Sequence, residues 1–316
     1  MVQLVCAEFD AFEEALYGVQ GHYVLRSRQQ REWRLNVVDL GDVVLMSGSE
    51  GAGTVYTGTG LPGYFNIFVP LTGHETTVVD GHLFDRSKIG WMVPDAMFHI
   101  DAKCPASWLT VAMSCERVMR WAEVRHDEFD FSLLQHNLVS NALRSLGPLI
   151  WLARRLFNIE ATTPEVLHAE SAEYGARMEV LDLVFRLLLP VDPVQAKARP
   201  TRNHKEILRR ALDLLDALHE RCVYTEDICH AACASERTVR NVFHHYLGMS
   251  PHRYLMLRRL HAIRADIRHA GPQDTITSIC ARFGVWDFGR FASHYRQHFG
   301  VLPAHALRAA RTSRAL

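Results

Sequence analysis

The sequence predicts an α+β protein in two parts: a β-rich N-terminal domain that ends in helices, then an all-α domain with two helix-turn-helix units. Three observations predict it. From about Val24 to Met113, short β-branched and aromatic runs alternate with turn residues. Near the C-terminus one pattern is written twice, Phe243-His-His-Tyr-Leu-Gly248-Met-Ser-Pro251 and Tyr295-Arg-Gln-His-Phe-Gly300-Val-Leu-Pro303, with aromatic, Gly and Pro at equal spacing. Charge also changes sign along the chain. Residues 1–200 hold 17 Lys and Arg against 25 Asp and Glu, and residues 201–316 hold 18 against 10, although the formal net charge is zero.

A chain of 316 residues with 48% hydrophobic and 22% charged content suits two domains with real cores. The longest apolar run, Leu181–Leu189, is interrupted by Asp182 and Arg186 and is too short to span a bilayer, so no membrane partner is expected. The N-terminus lacks a basic start and a sustained apolar stretch, which predicts no secretion signal and a cytoplasmic location. Cysteines stand at 6, 104, 115, 222, 229, 233 and 280 without paired CxxC spacing. That argues against a disulfide framework or a structural zinc site and for buried thiols.

In the N-terminal part, Trp33–Val38, Asp42–Met46, Tyr64–Val69, Thr76–Val79 and Trp108–Met113 read as strands. Gly48–Gly53, Gly58–Gly63, Thr72-Gly73, Asp80-Gly81 and Pro94-Asp95 read as the turns between them, as in an antiparallel barrel or sandwich. Ser132–Leu156 and Pro164–Leu189 carry apolar residues at helical spacing, with Pro164 suited to a first turn and the leucines near 185 to a core or a dimer seam. Prolines 190, 193 and 200 then mark a linker over 191–203. It separates a domain over 1–190 from one over 204–316.

In the first repeat, Thr225 caps a short helix Glu226–Ala232, Cys233-Ala234 turns, and Ser235 caps Glu236–Leu247. Val239, Val242, Phe243 and Tyr246 face inward, leaving Arg237, Arg240, Asn241 and His244 outside. In the second, Asp274 or Thr275 caps a helix near Ile276–Arg282, Phe283–Trp286 turns, and Asp287–Phe299 is helical. Phe291, Tyr295 and Phe299 face inward, Phe288 either joins them or lies at the DNA surface, and Gly289, Arg290, Ser293, His294 and Arg296 are left outside. Helix, turn, helix is the shape that seats one helix in a major groove, where Arg reads guanine and Asn reads adenine. Between the units, Pro251–His269 is expected as one helix, with Arg253 and Arg259 toward phosphates and Arg258 in a structural ion pair.

Ser235-Glu-Arg-Thr-Val-Arg-Asn-Val-Phe, Leu247-Gly-Met-Ser-Pro251, Arg258-Arg-Leu-His-Ala-Ile-Arg264 and Phe283-Gly-Val-Trp-Asp-Phe-Gly-Arg-Phe291 together resemble the AraC/XylS transcriptional regulators over roughly Lys205–Arg308. The resemblance implies seven helices and two recognition helices in successive major-groove segments of double-stranded DNA. The base-facing set it implies is Arg237, Arg240, Asn241 and His244, then Phe288, Gly289, Arg290, Ser293 and His294. Thr225, Ser235, Arg253, Arg259 and Arg296 are the expected phosphate contacts. Cys233 departs from the family, which often has Gly at this turn, and a positive φ there would strain it.

The N-terminal part resembles, more distantly, the cupin-like effector-binding barrels of that family, whose helices dimerise. This implies a homodimeric, ligand-controlled activator with RNA polymerase as a further partner. Among the aromatic and polar candidates, Trp33, Tyr64, Phe68, Trp91 and His99 are the expected effector pocket. The alternative is a metal-dependent enzymatic or redox-sensing barrel using His74, Glu75, His82 and His99. The HxH with a following Glu that metal cupins carry is missing, so neither cofactor nor catalysis is expected.

Overall fold

The computed structural model describes residues 3–16, 18–124, 131–142, 144–188, 202–218 and 222–314. They fall into two units, one of Met1–Tyr23 with Gln29–Ala196, the other of Val24–Arg28 with Lys197–Leu316. The predicted linker lies outside the described residues except at 202–203. Among the described residues, no helix is long and apolar enough to cross a membrane.

The first unit is built on two antiparallel sheets. The larger runs β1 (Gln3–Cys6), β3 (Trp33–Asp39), β4 (Val43–Ser49), β11 (Ser107–Ser114), β6 (Tyr64–Thr72), β9 (Lys88–Met92) and β12 (Leu138–Asn141), in that spatial order. The smaller runs β2 (Gln20–Leu25), β5 (Thr54–Thr59), β10 (Phe98–Ala102), β7 (Thr77–Val79) and β8 (His82–Phe84). Both sheets are open, which corrects the expected barrel. Closure needs the edge strands to pair, and the edges β1, β8 and β12 are three or four residues long.

Beside the sheets lie α1 (Phe9–Ala15), α2 (Cys115–Val124), α3 (Gly147–Thr162), α4 (Pro164–Leu167) and α5 (Glu170–Leu188). One face of the larger sheet, with Val38, Leu45, Ile67, Trp91 and Val111, packs on Val118 of α2, Leu149, Leu152 and Leu156 of α3, and Val180 and Val184 of α5. Asp42 ties this layer together by binding Arg117 at 2.5 Å and Arg177 at 3.4 Å.

Two sequence expectations fail here for tertiary reasons. Ser132–Leu156 is not one helix: residues 138–141 pair as a strand with β9, Leu138 opposite Trp91, before α3 begins. Its apolar positions fit either period over so short a run. Gly58, read as a turn residue, lies inside β5. A Cβ there would sit 2.3 Å from the Gln20 carbonyl oxygen, so glycine lets the neighbouring backbone approach.

The second unit is helical: α6 (Arg202–Ala217), α7 (Thr225–Ala232), α8 (Glu236–Leu247), α9 (Pro251–His269), α10 (Ile276–Arg282), α11 (Phe288–Phe299) and α12 (Pro303–Arg314). The single long helix expected between the repeats is α9.

Candidate nucleic-acid interface

Each repeat folds from its own local signals. Ser235 accepts a hydrogen bond from the Thr238 backbone N–H at 3.3 Å and starts α8. Asp287 does the same for Arg290 at 2.9 Å and starts α11. Both helices are 12 residues long and both end on a left-handed glycine, Gly248 at φ 62° and Gly300 at φ 83°. The cap of α7 is Tyr224 rather than Thr225, with the Tyr224 N–H donating to Asp227 at 2.8 Å. The turn after α7 does carry a strained residue, Cys233 at φ 50° and ψ 44°.

The inner faces hold the repeats together. Val239, Val242, Phe243 and Tyr246 are fully buried on α8, and Phe243 meets Tyr254 of α9 edge-on at 5.8 Å. On α11, Phe291 and Tyr295 are buried while Phe299 is half-buried under the Arg264 guanidinium, 4.6 Å from the ring centroid. His298, which the sequence reading passed over, is buried too. Burial, followed by the charges of Arg264 and Arg253, pulls its pKa down to about 4.

The outer faces differ. Arg237, Arg240, Asn241 and His244 are all exposed on α8, with Arg240 held by Glu236 one turn back at 2.6 Å. Aligning the repeats on Gly248 and Gly300 sets these four against Gly289, Ala292, Ser293 and Arg296 of α11. Gly289, Arg290, Ser293 and Arg296 are exposed there, whereas Phe288 and His294 are half-buried. Ser235 and Arg253 are also exposed, and Thr225 is half-buried.

The structure separates structural arginines from surface ones. Arg258 is 14% exposed and binds Asp216 at 2.7 Å and the Leu215 carbonyl at 2.9 Å, as the sequence suggested. Arg282 bridges Asp266 and Asp274, and Arg311 donates to the carbonyls of Gly271, Pro272 and Asp274. By contrast, Arg259 of α9 and Arg290 of α11 line one surface groove with Met256 and His294. It widens into two hollows of about 280 and 230 Å³. Tyr224 and Thr225 border one hollow and Trp286 the other, with Tyr224 61% and Trp286 73% exposed. Tyr224, His252 and Trp286 were missed from sequence. Their signal was an aromatic or His beside a helix start, too common to single out.

Cys280 is buried, and burial pushes its thiol up to about 11, while burial also raises Cys229. Neither is poised as a thiolate. Cys222 receives a hydrogen bond from Arg259 at 2.8 Å.

In the first unit the five expected pocket residues do not converge. Trp91 stacks on Phe65, centroids 5.1 Å apart, in the helix-facing core, while Phe68 packs on Phe84 and Trp108 between the sheets. Trp33 lies against Phe9 and Phe12, Tyr64 donates to the Gly41 carbonyl, and the His99 backbone N–H donates to Asp80. His74 is buried against the Ser107 carbonyl and Glu75 is exposed. Among the described residues, no three His, Cys, Asp or Glu side chains are grouped to hold a metal.

Residues 228–309 match the profile of a helix-turn-helix domain. Over 103 residues the chain is 34% identical to the probable thc operon regulatory protein of Rhodococcus erythropolis, covering 32% of this chain and 31% of that one. Over 100 residues it is 32% identical to the XylDLEGF operon transcriptional activator of Pseudomonas putida, covering 31% of each. A solved transcriptional regulator with an AraC-type DNA-binding domain from Chromobacterium violaceum is 27% identical, covering 34% of this chain and 93% of that chain, with a TM-score of 0.31. The matched stretch spans about a third of each curated relative's length. The C-terminal unit is a helix-turn-helix domain of the AraC/XylS type.

Proposed function

We propose that this protein is a DNA-binding transcriptional regulator. The observation that carries the reading is the pair of equal-length helices, α8 and α11, each held by its inner face, with Arg237, Arg240, Asn241 and His244 exposed on the first and Gly289, Arg290, Ser293 and Arg296 on the second. Arg237, Arg240, Asn241 and His244 read bases in one major-groove segment. Phe288, Gly289, Arg290, Ser293 and His294 meet the next. Thr225, Ser235, Arg253, Arg259 and Arg296 neutralise or hydrogen-bond phosphates. The N-terminal unit serves as a small-molecule sensor, and its helices α3 and α5, which expose Trp151, Tyr174 and Met178, form the homodimer seam. Effector binding shifts the population of DNA-competent arrangements, and RNA polymerase is the downstream partner of an activator built this way.

The test is fluorescence anisotropy on operator DNA selected from random sequence, against scrambled DNA. Arg240→Ala is expected to weaken operator binding by roughly 10–100-fold, corresponding to about 1–3 kcal/mol for one base contact, with little change on scrambled DNA. Arg253→Ala is expected to weaken both and to flatten the salt dependence by about 0.9 in the log–log slope. Equal losses on the two DNAs for Arg240→Ala would remove it from the base readers. Binding indifferent to salt would defeat the DNA-binding reading.

A further inference from the structure

The larger sheet changes character along its strands on the face that meets the helices. One row across four strands, Val38, Leu45, Val111 and Ile67, is apolar and belongs to the core. Two rows further along, the same face carries Arg34, Ser49, Ser107 and Thr72, each opposite the next, with Ser107 donating to Ser49 at 3.2 Å. The row between is mixed, Asn36 and Ser47 beside Leu109 and Val69. A sheet face running under a helix is ordinarily apolar throughout, because backbone and side chains there lose water. Here small hydroxylic side chains leave a cleft of about 510 Å³ beneath α3, within the ~300–1,000 Å³ typical of small-molecule sites.

The lining of this cleft is divided by chemistry. Leu71 and Leu109, with Ile150, Ala153 and Phe157 of α3, supply an apolar wall. Two guanidiniums, Arg34 and Arg154, stand at the cleft, and among the described residues no Asp or Glu lines it. Arg34 makes a loose, exposed ion pair with Glu32 at 3.8 Å, which a better anion can displace. Guanidinium forks match planar oxyanions, and an apolar wall beside them requires an apolar body on the same ligand.

We infer that the cleft between the larger sheet and α3 binds a small organic carboxylate, its head on Arg34 and Arg154 and its apolar body against Leu109, Ile150 and Phe157. The site lies outside the space between the two sheets and shares no residue with the pocket expected from sequence. It rests on the sensor reading only for its consequence at DNA.

Isothermal titration of the full chain with straight-chain carboxylates from butanoate to decanoate tests it, with hexanamide and hexyl phosphate as controls. Binding of at least one carboxylate is expected, weakened at least about tenfold by Arg34→Gln or Arg154→Gln, in line with the loss of a charge-assisted hydrogen bond. Ser49→Leu, which fills the floor, is expected to abolish it. Unchanged melting of the ligand-free variants establishes that they fold. No binding across the series, equal binding by the doubly substituted protein, or equal binding of hexanamide overturns the proposal. Binding of hexyl phosphate with every carboxylate silent overturns the carboxylate assignment. Carboxylate binding that leaves DNA affinity unchanged supports the site and defeats the sensor reading. A carboxylate effect on DNA that survives both Arg substitutions defeats the site and leaves the sensor reading standing.

Discussion

The two helix-turn-helix units are near copies inside and unlike outside. Phe243 and Tyr295 occupy the same inner position, both fully buried, and both helices end on a left-handed glycine. On the outer face Arg237, Arg240 and Asn241 of the first unit stand against Gly289, Ala292 and Ser293 of the second. The inner positions are constrained by packing, which penalises any change of volume, whereas the outer positions are exposed or half-buried, Arg240 held by Glu236 of its own helix. The fold is therefore duplicated and the chemistry of the outer face is not.

The largest expected effect breaks the shared interior. Phe243→Ala should cost about 3–5 kcal/mol, against clearly less for half-buried Phe299→Ala, as read by denaturant unfolding of the C-terminal unit. Comparable losses would mean that the second repeat is as tightly packed as the first.

A second test uses an inner position where the repeats differ in ionisation, Tyr246 against His298. The buried His298, facing Arg264, Arg253 and His261, has its pKa lowered from 6.5 to about 4. An unfolded chain takes up a proton below about pH 6.5 that the folded one refuses until about pH 4. Stability should therefore fall as pH falls through that window, by up to about 3 kcal/mol. His298→Tyr, which copies the first repeat, should reduce that slope. An unchanged slope would assign the acid sensitivity elsewhere, with His261, also depressed by burial, the next candidate.

Sequence reading reached the repeats more fully than the first unit. Ser235, Gly248 and Gly300 act within a turn of themselves, and the inward stripe of α8 follows from the helical period alone, so both were legible, whereas Asp287, read as the first helical residue, caps α11. Leu138–Asn141 needed β9 to become a strand, and Gly58 needed the Gln20 backbone to belong in one. Those partners are distant in sequence, and no local pattern announces them.

The groove shared by Arg259 and Arg290 gives a subtler comparison. If Arg290 acts there as a phosphate contact rather than a base reader, Arg290→Ala should weaken selected and scrambled DNA alike by about 1 kcal/mol, unlike Arg240→Ala. A loss confined to the selected sequence would restore the second unit as a specific reader. The smallest effect concerns the turns. Cys233 holds φ 50° where the second repeat uses Gly284 at φ 66°, so Cys233→Gly should stabilise the unit by roughly 1 kcal/mol, visible as a small rise in melting temperature. A fall would show that the thiol packs usefully despite the strain.

By itself the sequence determined the repeat, the Ser235 cap, the inner and outer faces of α8 and the sign of the charge, because each depends on neighbours within a few residues. Tertiary structure decided which partner each cation finds. Adjacent Arg258 and Arg259 part ways, one paired with Asp216 and the other donating to Cys222 and lining a groove with Arg290. It also decided that the strands form two open sheets and that a row of serines beneath α3 makes a cleft. Charge pairing and cavities are properties of surfaces brought together from distant parts of the chain, and a local pattern carries no record of what will face it.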